Sequence, residues 1–229
     1  MAKNALLGGE LFDFLRDLKA NNDRDWFQTN KKRYETHVLK PVQGFIEALR
    51  KPLARLSPHL VADPSRTGGS MFRINRDIRF SRDKSPYKTH TGVYFFHAHG
   101  GRKGAGPGLY LHLEPGHCFF ALGVHSVLSP QIKPIRQAIA DKPEDWKKVK
   151  DHLEKTGWIL GGESLKTAPR GFDRNHPCIE DIRRIDYYVN RTLSEQGVLE
   201  PDFPGLLVDQ AIQAAPLGRY LAGCLDMPW

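Results

Sequence analysis

The stretch Leu109-Tyr110-Leu111-His112-Leu113-Glu114-Pro115-Gly116-His117-Cys118-Phe119-Phe120-Ala121-Leu122 decides the fold class. Its first five residues alternate leucine with a polar or aromatic side chain, which is the period of a strand with one face on a core. Glu114-Pro115-Gly116-His117 breaks that run with turn chemistry, and an apolar run follows. The reading is a β-hairpin over 108–114 and 117–124. Two more short runs, 70–80 and 91–98, are rich in β-branched and aromatic residues and bounded by Gly or Pro, and they are predicted as strands. Consecutive strands of this kind make a mostly antiparallel sheet. Between them, residues 99–108 hold five glycines and one proline, a composition that predicts a loop.

Outward from this sheet, the period changes to helical. Leu11, Phe12, Phe14, Leu15 and Leu18 repeat every three to four residues and predict a helix over 9–20. Asn21-Asn22 ends it, and Asn22 or Asp23 can cap the next. That second helix is expected to carry Trp26, Phe27, Asn30, Tyr34 and Val38, and a third opens at Pro41 with Phe45, Ile46 and Leu49 on its stripe. Beyond the hairpin, Ile132, Ile135 and Ile139 mark one helix and Trp146, Val149 and Leu153 another. Residues 163–178 are irregular, 179–193 read as helix or short strand, and a last helix is predicted over about 205–222. The order of helices, strands and helices is an α+β class: N-terminal helices, a central mostly antiparallel β-sheet with helices on one side, and C-terminal helices. A chain of 229 residues suits one domain over 1–229.

No apolar run approaches the roughly 20 residues of a membrane helix. Glu10, Asp13 and Asp17 interrupt the N-terminal apolar stretch, unlike a secretory signal. Cys118, Cys178 and Cys224 are odd in number and far apart, so a disulfide framework is not expected. A cytoplasmic protein with no membrane partner is the expectation.

The charge is uneven. The chain carries a formal net charge of +8, and the segment 64–103 alone holds nine cations against Asp77 and Asp83, a net of +7. Within it, Met71-Phe72-Arg73-Ile74-Asn75-Arg76-Asp77-Ile78-Arg79-Phe80 alternates. On a strand, Arg73, Asn75, Asp77 and Arg79 share one face, and Arg76 joins Ile74, Ile78 and Phe80 on the other. An unpaired guanidinium among apolar side chains is costly, so Arg76 requires a carboxylate or a bound anion. Arginine's planar fork suits carboxylate and phosphate groups. A loop bearing Lys84, Ser85, Pro86 and Tyr87 follows.

The spacing Arg73-x-x-Arg76-Asp77-x-Arg79-Phe80-x-x-x-Lys84-x-Pro86-Tyr87 resembles the signature of the DUF2461 family of mainly bacterial proteins. Further stretches are similar: Asn21-Asn22 with Trp26-Phe27 and Tyr34, Tyr110 to Gly116, and Pro169-Arg170-Gly171-Phe172 with His176-Pro177. That family is one of unknown function. The resemblance implies that the arginine-rich run and the Lys-Ser-Pro-Tyr turn act together, and it supplies no reaction or cofactor.

Three functions remain in view. The first is a site for a small phosphate- or carboxylate-bearing ligand built from Arg73, Arg76, Arg79, Lys84 and Tyr87, with Asp77 as the residue that orients the arginines. The second is nucleic-acid binding by the same basic segment, whose Phe80, Tyr87 and Tyr94-Phe95-Phe96 offer stacking faces. The third is an internal Arg–Asp network with a structural or interaction role. No metal site is expected: His97 and His99 share a strand face and His112, His117 and Cys118 can approach across the hairpin, but no carboxylate keeps regular spacing with them. Cys118 reads as core, and no motif designates a catalytic residue.

Overall fold

The computed structural model describes residues 5–102, 106–125 and 129–229, with side chains of the last stretch from residue 132 onward. Helix α1 (Gly9–Ala20) buries Leu11, Phe12, Phe14, Leu15 and Leu18, the stripe its periodicity predicts. Asp23 caps α2 (Arg24–Thr29) by accepting from the Trp26 N–H at 2.8 Å. The expected second helix is broken at Asn30, where α3 (Lys31–Tyr34) starts. A π-helical turn, Glu35–Leu39, then leads without a gap into α4 (Lys40–Leu53). Pro41 has no N–H to donate to the preceding turn, and a wide turn accommodates that missing bond.

Six antiparallel strands form one sheet in the order β1-β2-β3-β4-β6-β5. They are β1 (Leu60–Val61), β2 (Thr91–His97), β3 (Gly108–Leu113), β4 (Cys118–Val124), β5 (Leu160–Gly161) and β6 (Tyr187–Leu193). The β3–β4 hairpin forms as its alternation predicts, with Gly116 at φ +76 in the turn, a conformation glycine adopts without steric cost. Helices α5 (Ser129–Asp141) and α6 (Pro143–Lys155) precede β5, and α7 (Ile179–Ile182) precedes β6. The chain closes with α8 (Glu195–Val198), α9 (Phe203–Ile212) and α10 (Ala215–Cys224). The single last helix expected from the sequence is thus two, because Pro216 cannot donate to the carbonyl one turn back.

The run 70–80 is not a strand. Among the described residues it meets the sheet through one isolated bridge, Met71 to Val93, while a second bridge, Asn75 to Tyr87, ties it to its own following loop. Asp77 accepts from the backbone N–H of Arg79, and Asp83 from that of Ser85. These local bonds compete with a ladder and curl the chain into a loop.

One sheet face is the core. Val93, Phe95, Leu109, Leu111, Phe120, Leu122, Tyr187 and Val189 are fully buried there, each such apolar side chain contributing roughly 1.5–3 kcal/mol. Phe45, Trp146, Trp158 and Phe203 are buried in the same apolar cluster. The C-terminal tail docks too: the Trp229 ring lies over Gly218, where an added Cβ would come within 2.4 Å of it. The opposite face of β2, β3, β4 and β6 is only partly covered, and it carries the site described next.

Candidate functional site

Strand parity builds the open face. With Leu109, Leu111 and Leu113 turned to the core, Tyr110, His112 and then Glu114 turn outward. Register carries the same parity across: Tyr94 faces Tyr110, Gly92 faces His112, and His112 faces Phe119. Beyond them, Ala121 faces Asn190 and Gly123 faces Tyr188. The result is a groove of about 720 Å³ floored by Tyr94, Tyr110, Phe119 and Tyr188, within the usual size of a small-molecule site. Glycine is required beneath it, since a Cβ on Gly108 would stand 2.4 Å from the Tyr94 ring and one on Gly92 2.8 Å from the Tyr110 hydroxyl. Burial pushes the Tyr94 and Tyr110 hydroxyls up to about 12, so both are neutral hydrogen-bonding groups at neutral pH.

Cations gather at one end. Phe72 forms the wall, with the Lys88 ammonium 5.5 Å and the Arg102 guanidinium 5.2 Å from its ring centre. Both are tied to the carbonyls of the arginine-rich run, Lys88 to Arg73 at 2.8 Å and Arg102 to Met71 at 3.0 Å. Among the described residues neither meets a carboxylate within ion-pair distance. Burial, and then the like charges of Arg73 and Arg102, lower the Lys88 pKa. The Arg102 Nε is enclosed, with no hydrogen-bond partner among the described residues.

A histidine–carboxylate cluster lies beside the groove. His112 Nδ1 is 3.0 Å from the Tyr110 hydroxyl and its Nε2 is 3.3 Å from Glu114 Oε2. Thr89 donates to Glu114 Oε1 at 3.1 Å. The His90 ring lies tilted against His112 with centres 4.3 Å apart, and His117 Nδ1 is 3.8 Å from Glu114 Oε2. Burial lowers His90 to about 4, helped by His112. Burial also lowers His112, against the pull of Glu114. For Glu114 burial acts upward but is outweighed by its bonds to His112 and Thr89, and the carboxyl falls below its ordinary range.

The signature residues are placed elsewhere. Arg76 is half-buried and pairs with Asp83, a carboxylate from its own loop. Arg79 forks onto Asp77 through Nε at 2.9 Å and Nη2 at 2.7 Å, and these bonds hold Asp77 near 2. Lys84 donates to the Ile78 carbonyl at 3.0 Å. Tyr87 is buried, its ring stacked on Phe27 at 4.1 Å. Arg73 is exposed and, with Tyr87, Lys31 and Arg66, lines a smaller cleft of about 250 Å³ against the N-terminal helices. The five residues therefore do not converge on one point. Phe80 stands outside the fold, 95% exposed. Lys103 of the basic segment lies outside the described residues.

Other histidine and cysteine readings sort by burial. His97 is buried, one ring nitrogen 2.7 Å from the Pro228 carbonyl and the other accepting from the His99 N–H, so its polar atoms are used. Cys118 is buried, and burial pushes its thiol up to about 11. Sequence reading missed Lys88, Arg102 and His90 as site residues. The signal for His90 was its position two residues before Gly92 on β2, which needs the strand register to be useful.

Residues 10–220 match the model of a family described as a conserved hypothetical protein (DUF2461). No curated protein and no solved structure matches the chain.

Proposed function

The chain belongs to the DUF2461 family, and on that premise we propose that it binds a small anionic ligand carrying a planar ring in the open-face groove. One observation carries the reading: half-buried Lys88 and Arg102 both lie against the Phe72 ring at the end of an aromatic floor, and neither meets a carboxylate among the described residues. Burial and nearby like charge both disfavour the Lys88 ammonium in the ligand-free protein, and a bound phosphate or carboxylate offsets that cost. The tyrosine and phenylalanine rings offer stacking faces to the rest of the ligand. In this reading the arginine-rich run acts as a wall, presenting Phe72 to the groove and its carbonyls to the two cations. The smaller cleft, where Arg73, Lys31 and Arg66 meet Tyr87, is a second seat for the anion. We place the protein in the cytoplasm, a reading supported by its three free cysteines.

The test is a melting-temperature screen with nucleotides, sugar phosphates, aromatic carboxylates and short single-stranded oligonucleotides at two salt concentrations. A ligand at 100 times its Kd adds about 2.7 kcal/mol, roughly 5–10 °C for a chain this size. The expected result is a salt-tolerant shift from one small anion, lost in Lys88→Ala and Arg102→Ala. A shift lost in Arg73→Ala alone moves the site to the smaller cleft. Shifts from oligonucleotides only, vanishing with salt, replace this reading by nucleic-acid binding. No shift from any compound overturns it.

A further inference from the structure

We propose that His90, His112 and Glu114, with His117 as a fourth ligand, bind a divalent transition-metal ion of the zinc class at the edge of the groove. The proposal goes beyond anion binding and stands without it. Its basis is convergence: one ligand atom each from His90, His112 and Glu114 fall within 4.8 Å of one another. The three are brought together by the register of β2 and β3, His90 just before β2, His112 on β3 and Glu114 just after it, rather than by a local motif. Thr91 pairs with Leu113 and Gly92 with His112, so His90 stands opposite Glu114, and His112 is their neighbour on the same face.

The spacing suits a metal. His112 Nε2 and Glu114 Oε2 are 3.3 Å apart, which is the edge of a tetrahedron whose bonds are about 2.0–2.1 Å long. His112 is fixed on β3 and buried. His90 and Glu114 are less enclosed and close the remaining distance by side-chain rotation. His117 is exposed, with Nδ1 already 3.8 Å from the same carboxylate oxygen. Two imidazoles and one carboxylate, with a further imidazole or water, are a borderline-soft donor set that favours zinc, cobalt or nickel over magnesium or calcium.

The surroundings support the ligands as metal sites require. The Tyr110 hydroxyl meets the far nitrogen of His112 at 3.0 Å. When Nε2 gives its lone pair to a metal, the proton moves to Nδ1 and donates to that hydroxyl, which can act as acceptor as well as donor. Thr89 holds the other oxygen of Glu114, which leaves Oε2 for the ion. His90 and His117 both line the groove, so an ion has an entry path.

The full-length chain, stripped with a chelator and without any added anionic ligand, is titrated with Zn²⁺ by calorimetry and with Co²⁺ by visible absorption. One ion per chain and a ligand-field band from bound cobalt are expected. Glu114→Gln and His90→Ala should abolish the band. His117→Ala should weaken binding and alter the band. Tyr110→Phe, which keeps every ligand, should lower affinity about 10- to 100-fold. Circular dichroism of each variant separates loss of the ion from loss of the fold. Absence of a stoichiometric ion overturns the proposal and leaves a Tyr110–His112–Glu114 hydrogen-bond chain in its place. So does binding that is unchanged in both Glu114→Gln and His90→Ala. An unaltered His117→Ala spectrum removes His117 from the ligand set.

Discussion

The side-chain amide of Asn22 clasps the backbone of Tyr87. Its Nδ2 donates to the Tyr87 carbonyl at 3.0 Å, and its Oδ1 accepts from the Tyr87 N–H at 3.1 Å. Asn22 sits in the short link between α1 and α2, whereas Tyr87 ends the arginine-rich signature. This pair of bonds, with the Phe27–Tyr87 stack, fastens the basic segment to the N-terminal helices.

Removing the clasp should therefore destabilise the whole protein. Asn22→Ala leaves two half-buried backbone groups unpaired and should cost about 1–3 kcal/mol. Asn22→Asp keeps the acceptor but loses the donor and sets a carboxylate against a carbonyl, so it should not rescue. Urea unfolding measures both, and a midpoint equal to wild type in Asn22→Ala would show that the segment is held by other contacts.

The exposed signature pair should behave oppositely. Arg79 and Asp77 contact each other at the surface, where solvent screens an ion pair. Arg79→Ala should melt with the wild-type protein. A clear drop in melting temperature would favour the reading of the signature as a structural network.

Alkaline titration should reveal buried tyrosines. Burial raises Tyr34 and Tyr94 from about 10 to about 12. A phenol whose folded pKa is raised contributes stability that is whole below pH 10 and lost as pH rises through 12. Tyrosinate absorbance should therefore lag behind that of the unfolded chain and then rise together with loss of the far-ultraviolet dichroism. A titration complete by pH 11 with the fold intact would contradict the burial of these rings.

Acid should weaken the packing around His97. Burial lowers His97, although its bond to the Pro228 carbonyl acts the other way. A histidine with a lowered folded pKa contributes stability present above its unfolded value of about 6.5 and lost as pH falls through the lower folded value. Protonating Nδ1 also removes the acceptor of the His99 N–H. The urea midpoint should therefore fall as pH drops below about 6.5, and His97→Gln should flatten that fall. A pH dependence equal in wild type and His97→Gln would exclude His97 as its source.

Residue periodicity made much of the architecture legible. The 9–20 helix, the β3–β4 hairpin and the outward turn of Tyr110 and His112 are readable because helix and strand periods follow from local backbone geometry. For the same reason Tyr94-Phe95-Phe96 had to put a ring in the core, and Phe95 is the buried one. The run 70–80 was misread because alternation alone does not supply a neighbouring strand. Arg73, Asn75, Asp77 and Arg79 are exposed as a strand face would leave them, yet their loop bonds to itself.

Which cations stand together is a different matter. Local pattern was enough for the α+β class and for the faces of the strands that form, whereas the Arg76–Asp83 pair belongs to a loop that alternation did not foresee. Tertiary packing brings Lys88 and Arg102 to the Phe72 ring and His90 to His112 and Glu114. Those approaches depend on strand register and on loop closure between residues far apart in the chain. Register is selected by the burial of both strands at once, a sum over many contacts that no local pattern contains.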